Sequence, residues 1–135
     1  MTKGLQGAQI FAGNGHTFTR RITWTRQPDD ATDYTDAAVE IDFYASTSAT
    51  APALNLSTAG IGFNRLINTA DSQILDMTLS AANLTTLLGG LSERKIGYIF
   101  SITPTGGSKI TRAKGNGYDG VITVCAPALS ARQVF

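Results

Sequence analysis

The tripeptide Gly13-Asn14-Gly15 stands before an alternating apolar run, and it returns at Gly115-Asn116-Gly117. Glycine-rich loops cradle phosphates when a helix comes next, because the free N–H groups and the helix dipole then meet the anion together. The second copy even spells G-N-G-Y-D-G, the letters of a dinucleotide fingerprint. The segment after each copy is of the wrong kind. Phe18 to Trp24 and Val121 to Val124 both alternate like strands, and no crossover helix is available. Without the helix the anion chemistry is lost, and the triplets read as turns, where Gly and Asn tolerate positive φ. Asn116 and Asp119 offer two oxygens where calcium wants six to eight.

Other reactive side chains are few. Cys125 is the only cysteine and His16 the only histidine, so a thiol–imidazole pair has a single possible composition. Within VITVC, Cys125 reads as a small buried hydrophobe, and a lone cysteine permits no internal disulfide. Four of the ten carboxylates, Asp29, Asp30, Asp33 and Asp36, share one loop. A carboxylate pair can hydrolyse a glycoside, and Asp29 with Asp33 would serve a small hydrolase. Loop aspartates of this kind ordinarily build turns. Glu40 and Asp42 fall on the polar parity of a strand and are expected on an outward salt-bridged face. No nucleophile elbow, metalloprotease helix motif or zinc spacing occurs. The expectation is a protein that is not an enzyme and needs no cofactor or metal. Tyr34, Tyr44 and Tyr118 could stack on sugars, which keeps a carbohydrate-binding module as an alternative; each could also cover a core edge with its hydroxyl in water. The sequons at Asn55 and Asn83 carry no weight without a signal peptide.

The elements that must position these residues come from composition and period. The 135 residues fit one ordinary domain, large enough to bury a core. Charged residues are 16%, below the usual quarter, and the neutral polar remainder is largely Thr, Ser, Asn and Gly. That composition favours strands and turns. The net charge of +1 gives no pull toward nucleic acid, and Arg20, Arg21 and Arg26 are followed at once by the aspartate loop. The opening MTKGLQGAQIFAGNG lacks the apolar region of a signal peptide, and no stretch reaches the length of a membrane span. The expected partners therefore include no nucleic acid and no membrane, and the chain is expected to be soluble when made, in a reducing compartment.

Period-two alternation predicts strands over 17–26, 37–46, 53–57, 62–68, 72–80, 93–103, 108–114 and 121–126. Arg20 falls on the apolar parity of the first of these, at a rim or with its stem along apolar surface. One helix is predicted over 81–88, with Ser80 as N-cap, Leu84, Leu87 and Leu88 on one face, and Gly89 and Gly90 as the stop. Turn signals every eight to twelve residues suggest an all-β, Ig-like antiparallel β-sandwich of seven or eight strands. The division expected is an N-terminal arm or edge strand at 1–16, a sandwich at 17–126 and a tail at 127–135. The core is expected to hold Phe18, Ile22, Trp24, Val39, Ile41, Phe43, Leu75, Met77, Leu79, Tyr98, Phe100 and Val124.

Five pieces taken in order, Phe18 to Trp24, Tyr34 to Phe43, Leu79 to Leu88, Tyr98 to Thr103 and Gly120 to Val124, carry a resemblance. Together they span about 17–124, and the pattern resembles small β-sandwich virion proteins of tailed bacteriophages, including the N-terminal domain of phage baseplate upper proteins. The family pattern has Thr-Gly-Ala where this chain has Thr35-Asp36-Ala37. Baseplate relatives also carry long C-terminal extensions, so the resemblance implies a virion structural role more firmly than a place within the virion. It implies a repeated subunit on the tail, baseplate or neck, or a decoration (cement) protein on the capsid surface. Other virion proteins and copies of itself would be its partners. Apolar residues in the two end segments, Leu5, Ile10, Phe11, Leu129, Val134 and Phe135, are the candidates for docking on neighbours, or else for completing edge strands of their own domain.

Overall fold

The computed structural model describes residues 2–3, 7–13, 15–45, 51–111 and 120–126, with side chains at all of these but 2, 3 and 111. The chain is an all-β sandwich. One sheet holds β1 (Thr2–Lys3), β3 (Phe18–Thr25), β7 (Ser72–Leu79) and β6 (Phe63–Asn68), in that order. The other holds β2 (Gln9–Phe11), β10 (Gly120–Cys125), β8 (Glu93–Thr103), β4 (Ala38–Tyr44) and β5 (Leu54–Ser57), with the short β9 (Ile110–Thr111) also on β8. The third, seventh and sixth strands in one sheet against the tenth, eighth and fourth in the other is the immunoglobulin-like Greek-key order. The helix α1 (Ala81–Leu88) connects β7 to β8.

Alternation in sequence becomes two inner faces. Ile22, Trp24, Leu75, Met77 and Leu79 point in from one sheet, and Val39, Ile41, Phe43, Tyr98, Phe100 and Val124 from the other, all in one buried cluster. Each such side chain contributes about 1.5–3 kcal/mol by leaving water. Phe18 is only half-buried and packs on the cluster's rim. Arg20 holds its guanidinium carbon 5.0 Å from the centre of the Phe18 ring.

One pairing departs from the antiparallel expectation. β2 runs parallel to β10, with Ile10 opposite Val124. β1 lies antiparallel to β3 in the other sheet, so the chain changes sheets between β1 and β2. Gly7 sits at the crossing with φ +77, and its N–H bonds the carbonyl of Val121 at 3.0 Å. The residues expected as an arm or an edge strand thus supply edge strands to both sheets.

The helix begins and ends as its residues dictate. Ser80 Oγ accepts from the Asn83 N–H at 3.1 Å, and Asn83 Oδ1 accepts from the Ser80 N–H at 3.0 Å, a reciprocal cap. Gly89 closes the helix at φ +63. Leu84, Leu87 and Leu88 bury its one apolar face.

β9 and β10 lie along the same side of β8. The pair Ser101–Thr111 and the pair Tyr98–Gly120 differ in register by six residues. Of the expected strand 108–114, Ser108 and Lys109 precede β9 outside any strand, and 112–114, like the second Gly-Asn-Gly triplet, lie outside the described residues. At the first triplet Gly13 and Gly15 have φ +102 and +73, as the turn reading requires.

Candidate functional site

The flank formed by β5 and β6, where the two sheets come edge to edge, divides into a closed half and an open half. The closed half lies toward the loop 26–37. Gln73 occupies the inward parity of β7 and is fully buried. Its Nε2 donates to the Tyr34 carbonyl at 2.9 Å, to Asn68 Oδ1 at 2.9 Å and to the Thr69 carbonyl at 3.3 Å. Its Oε1 accepts from the Arg65 guanidinium, which also donates to the Ala37 carbonyl at 2.8 Å. Arg65 and Gln73 thus tie one sheet to the chain entering β4 of the other.

Asp36 completes this corner. It takes φ +62, a conformation that Asp and Asn tolerate better than other side chains. Its N–H donates to Asn68 Oδ1 at 2.8 Å, and its carboxylate accepts from Asn68 Nδ2 at 2.7 Å. The left-handed position in Thr35-Asp36-Ala37 is therefore held by an aspartate with a reciprocal partner. Nearby, Tyr34 is only 2% exposed, with its ring edge-on to Trp24 at a centroid distance of 4.5 Å. Its hydroxyl donates to Asp30 at 2.6 Å. That bond, then the Thr32 amide, hold the Asp30 carboxyl below the usual carboxylate range. Thr35 does the same for Asp33, through its hydroxyl and then its amide. Burial, and then the bond to Asp30, raise the Tyr34 hydroxyl.

The open half is a groove of about 340 Å³. Leu54 and Leu56 of β5 form one wall, and Thr78, Ser80 and Asn83 form the other, where β7 turns into the capped helix. Gly62, at φ +113, carries the loop past Leu56, and Ile61 stands on the rim 90% exposed. β5 is the last strand of its sheet among the described residues. Its register with β4 pairs Ile41 with Leu56 and Phe43 with Leu54, and the Thr58 N–H bonds the Val39 carbonyl. Hydrogen-bonded pairs alternate along an antiparallel ladder. The even residues of β5 therefore bond to β4, and the backbone groups of Asn55 and Ser57 point away from the sheet. Gly60 N–H takes the Ser57 carbonyl at 3.1 Å. The other outward-pointing groups have no partner among the described residues.

The outer surface beside this edge is acidic. Asn55 Nδ2 donates to Glu40 at 3.0 Å and to Asp42 at 2.5 Å. Lys109 pairs with Glu40 at 3.2 Å, while Asp42 meets no cation among the described residues. The outward, salt-bridged face expected for Glu40 is present.

The other sequence candidates fall in several places. Ile10 is 3% exposed in the domain's own core, so its side chain is not a docking residue. Phe11, its neighbour on β2, is 48% exposed at the opposite edge of the same sheet. Leu5, Leu129, Val134 and Phe135 lie outside the described residues, as does Tyr118. Tyr34 is core and offers no ring to a sugar; Tyr44 is half-buried. His16 is exposed, whereas Cys125 is buried with Gln9 Nε2 at 3.7 Å from its sulfur. No cluster that could hold a metal ion occurs among the described residues, and no described helix is long and apolar enough to cross a membrane. Two features escaped the sequence reading, Gln73 and the groove. Gln73 had a visible signal, a polar residue on the apolar parity of β7; the groove had none. No protein-family model matches the chain, and no curated protein matches it.

Proposed function

We propose that the chain is a non-enzymatic structural protein of a tailed-phage virion, a repeated subunit whose work is protein–protein assembly on the tail, baseplate or neck. The observation that carries this reading is where the apolar surface lies. Of the seven large apolar side chains exposed among the described residues, four lie at sheet edges: Phe11 on β2 and Leu66 and Ile67 on β6, outermost strands of the two sheets, and Ile61 beside the edge of β5. Sheet edges are the places where a neighbouring chain adds most readily. The five pieces that carry the family resemblance supply β3, the entry to β4, the β7–α1 junction, the end of β8 and β10, in one sandwich.

The test is mass spectrometry on particles purified by density gradient from the strain that encodes the chain. Peptides of this protein in many copies per particle are the expected result. Their absence from intact particles would overturn the reading.

A further inference from the structure

We propose that the free edge of β5 is an acceptor for segment 127–135 of a second copy, added there as an extended strand. The inference rests on the assembly reading and deepens it by naming the contact. Three properties of the acceptor fix what can occupy it. The outward N–H and C=O of Asn55 and the N–H of Ser57 select a strand rather than a helix, because a strand supplies N–H and C=O groups at matching intervals. The groove behind them, walled by Leu54 and Leu56, takes apolar side chains from one parity of that strand. The acidic surface before them, with Asp42 lacking a cation among the described residues, takes a basic side chain from the other parity.

Segment 127–135 reads PALSARQVF. Leu129, Ala131, Gln133 and Phe135 share one parity, and Ala128, Ser130, Arg132 and Val134 share the other. Three of the first four are apolar, as the groove requires, and Arg132 brings a guanidinium to the side of Asp42. A residue facing Asn55 on an added strand lies two strand spacings from Asp42, about 10 Å between backbones. An arginine stem covers that distance.

The donor belongs to another copy for reasons of reach. Leu129 is four residues past Cys125, the end of β10, so it lies within about 14 Å of it. Between β10 and a strand outside β5 come β8, β4 and β5, four spacings or about 19 Å. The same chain cannot place Leu129 in its own groove. Donor and acceptor are different surfaces, so the contact is heterologous and propagates into rings or filaments instead of closing as a two-fold dimer.

The experiment is sedimentation of the full chain over a concentration series, with Asp42→Arg, Arg132→Asp, the double variant and Leu129→Asp beside it. Thermal melts of the four establish that each is folded. The expected result is association beyond a dimer. Each charge reversal weakens it about fivefold, which is what an exposed ion pair contributes. The double variant recovers most of the loss, and Leu129→Asp abolishes association. A chain that stays monomeric overturns this inference but leaves the virion reading standing, since other virion proteins remain as partners. Association indifferent to both reversals, or a strict two-fold dimer, overturns it as well.

Discussion

Along one flank of this sandwich the same problem, how to finish the gap between two sheet edges, is met in two ways. Toward the loop 26–37 the gap is bridged by polar side chains, with Arg65 and Gln73 reaching carbonyls at Ala37 and Tyr34. Toward the helix it is left as an apolar groove beside a free strand edge. A buried amide is tolerable only when its hydrogen bonds are made, and both polar atoms of Gln73 make theirs. The closed half is therefore specified atom by atom and resists change. The open half has little to lose and can accept a neighbour. The difference shows that the uncovered edge is local to one half of the flank, because the same flank seals itself a few residues away.

The largest expected effect lies in the closed half. Trp24→Ala removes the ring that meets Tyr34 edge-on and should destabilise the protein by about 3–5 kcal/mol in urea melts. A shift under about 0.5 kcal/mol, the range of a neutral surface change, would mean that the closed half does not depend on this aromatic pair. Next comes Gln73→Leu, similar in volume but without the amide. It takes one of two donors from the Tyr34 carbonyl, which keeps the Ala37 N–H, and leaves the Arg65 N–H that faced Gln73 without its acceptor; the expected loss is about 2–3 kcal/mol. A neutral result in the same melts would show that leucine packs there as well as the network does. The closed half would then be no more specified than the open one.

The share of the fold and site legible in the sequence depends on what alternation can and cannot encode. The strand 93–103 and the helix 81–88 were readable to the residue, because Ile96, Tyr98, Phe100 and Ile102 keep one parity and Ser80 and Gly89 are chemically suited to be caps. The immunoglobulin-like class followed from strand count and turn spacing. Strand order did not follow, since nothing in Gln9-Ile10-Phe11 says that the chain has changed sheets and now runs parallel to β10. For Tyr34 the sequence leaves stacking on a ligand and covering the core both open, because burial of a loop ring depends on Trp24 arriving from another strand. The polar corner was half legible. Gln73 breaks parity in plain view, but its partners Tyr34, Asn68 and Arg65 converge only in three dimensions. The groove is a relation between edges, and no local pattern reports it.

The smallest expected effect separates the two halves by acid. The carboxyls of Asp30 and Asp33 lie below their ordinary range because Tyr34, Thr32 and Thr35 donate to the charged forms. A carboxyl lowered by folding stabilises the folded state above its unfolded pKa. That contribution is lost as pH falls through the folded pKa, so it is intact near neutrality and fades below about pH 4. The raised Tyr34 hydroxyl works at the other extreme: its contribution is present below about pH 10 and fades as pH rises past that. Both groups hold the loop 26–37, and neither touches the groove. On acidification, hydrogen exchange corrected for its intrinsic pH dependence should therefore lose protection first at the Tyr34 and Ala37 amides, which bond the carbonyls of Ala70 and Tyr34. The Thr78 amide, bonded to Gly62 at 2.7 Å in the open half, should keep its protection. Asp30→Asn should abolish much of the difference. Uniform loss across both halves would mean that the flank opens as one unit, and the contrast between a specified half and an accepting half would not survive in solution.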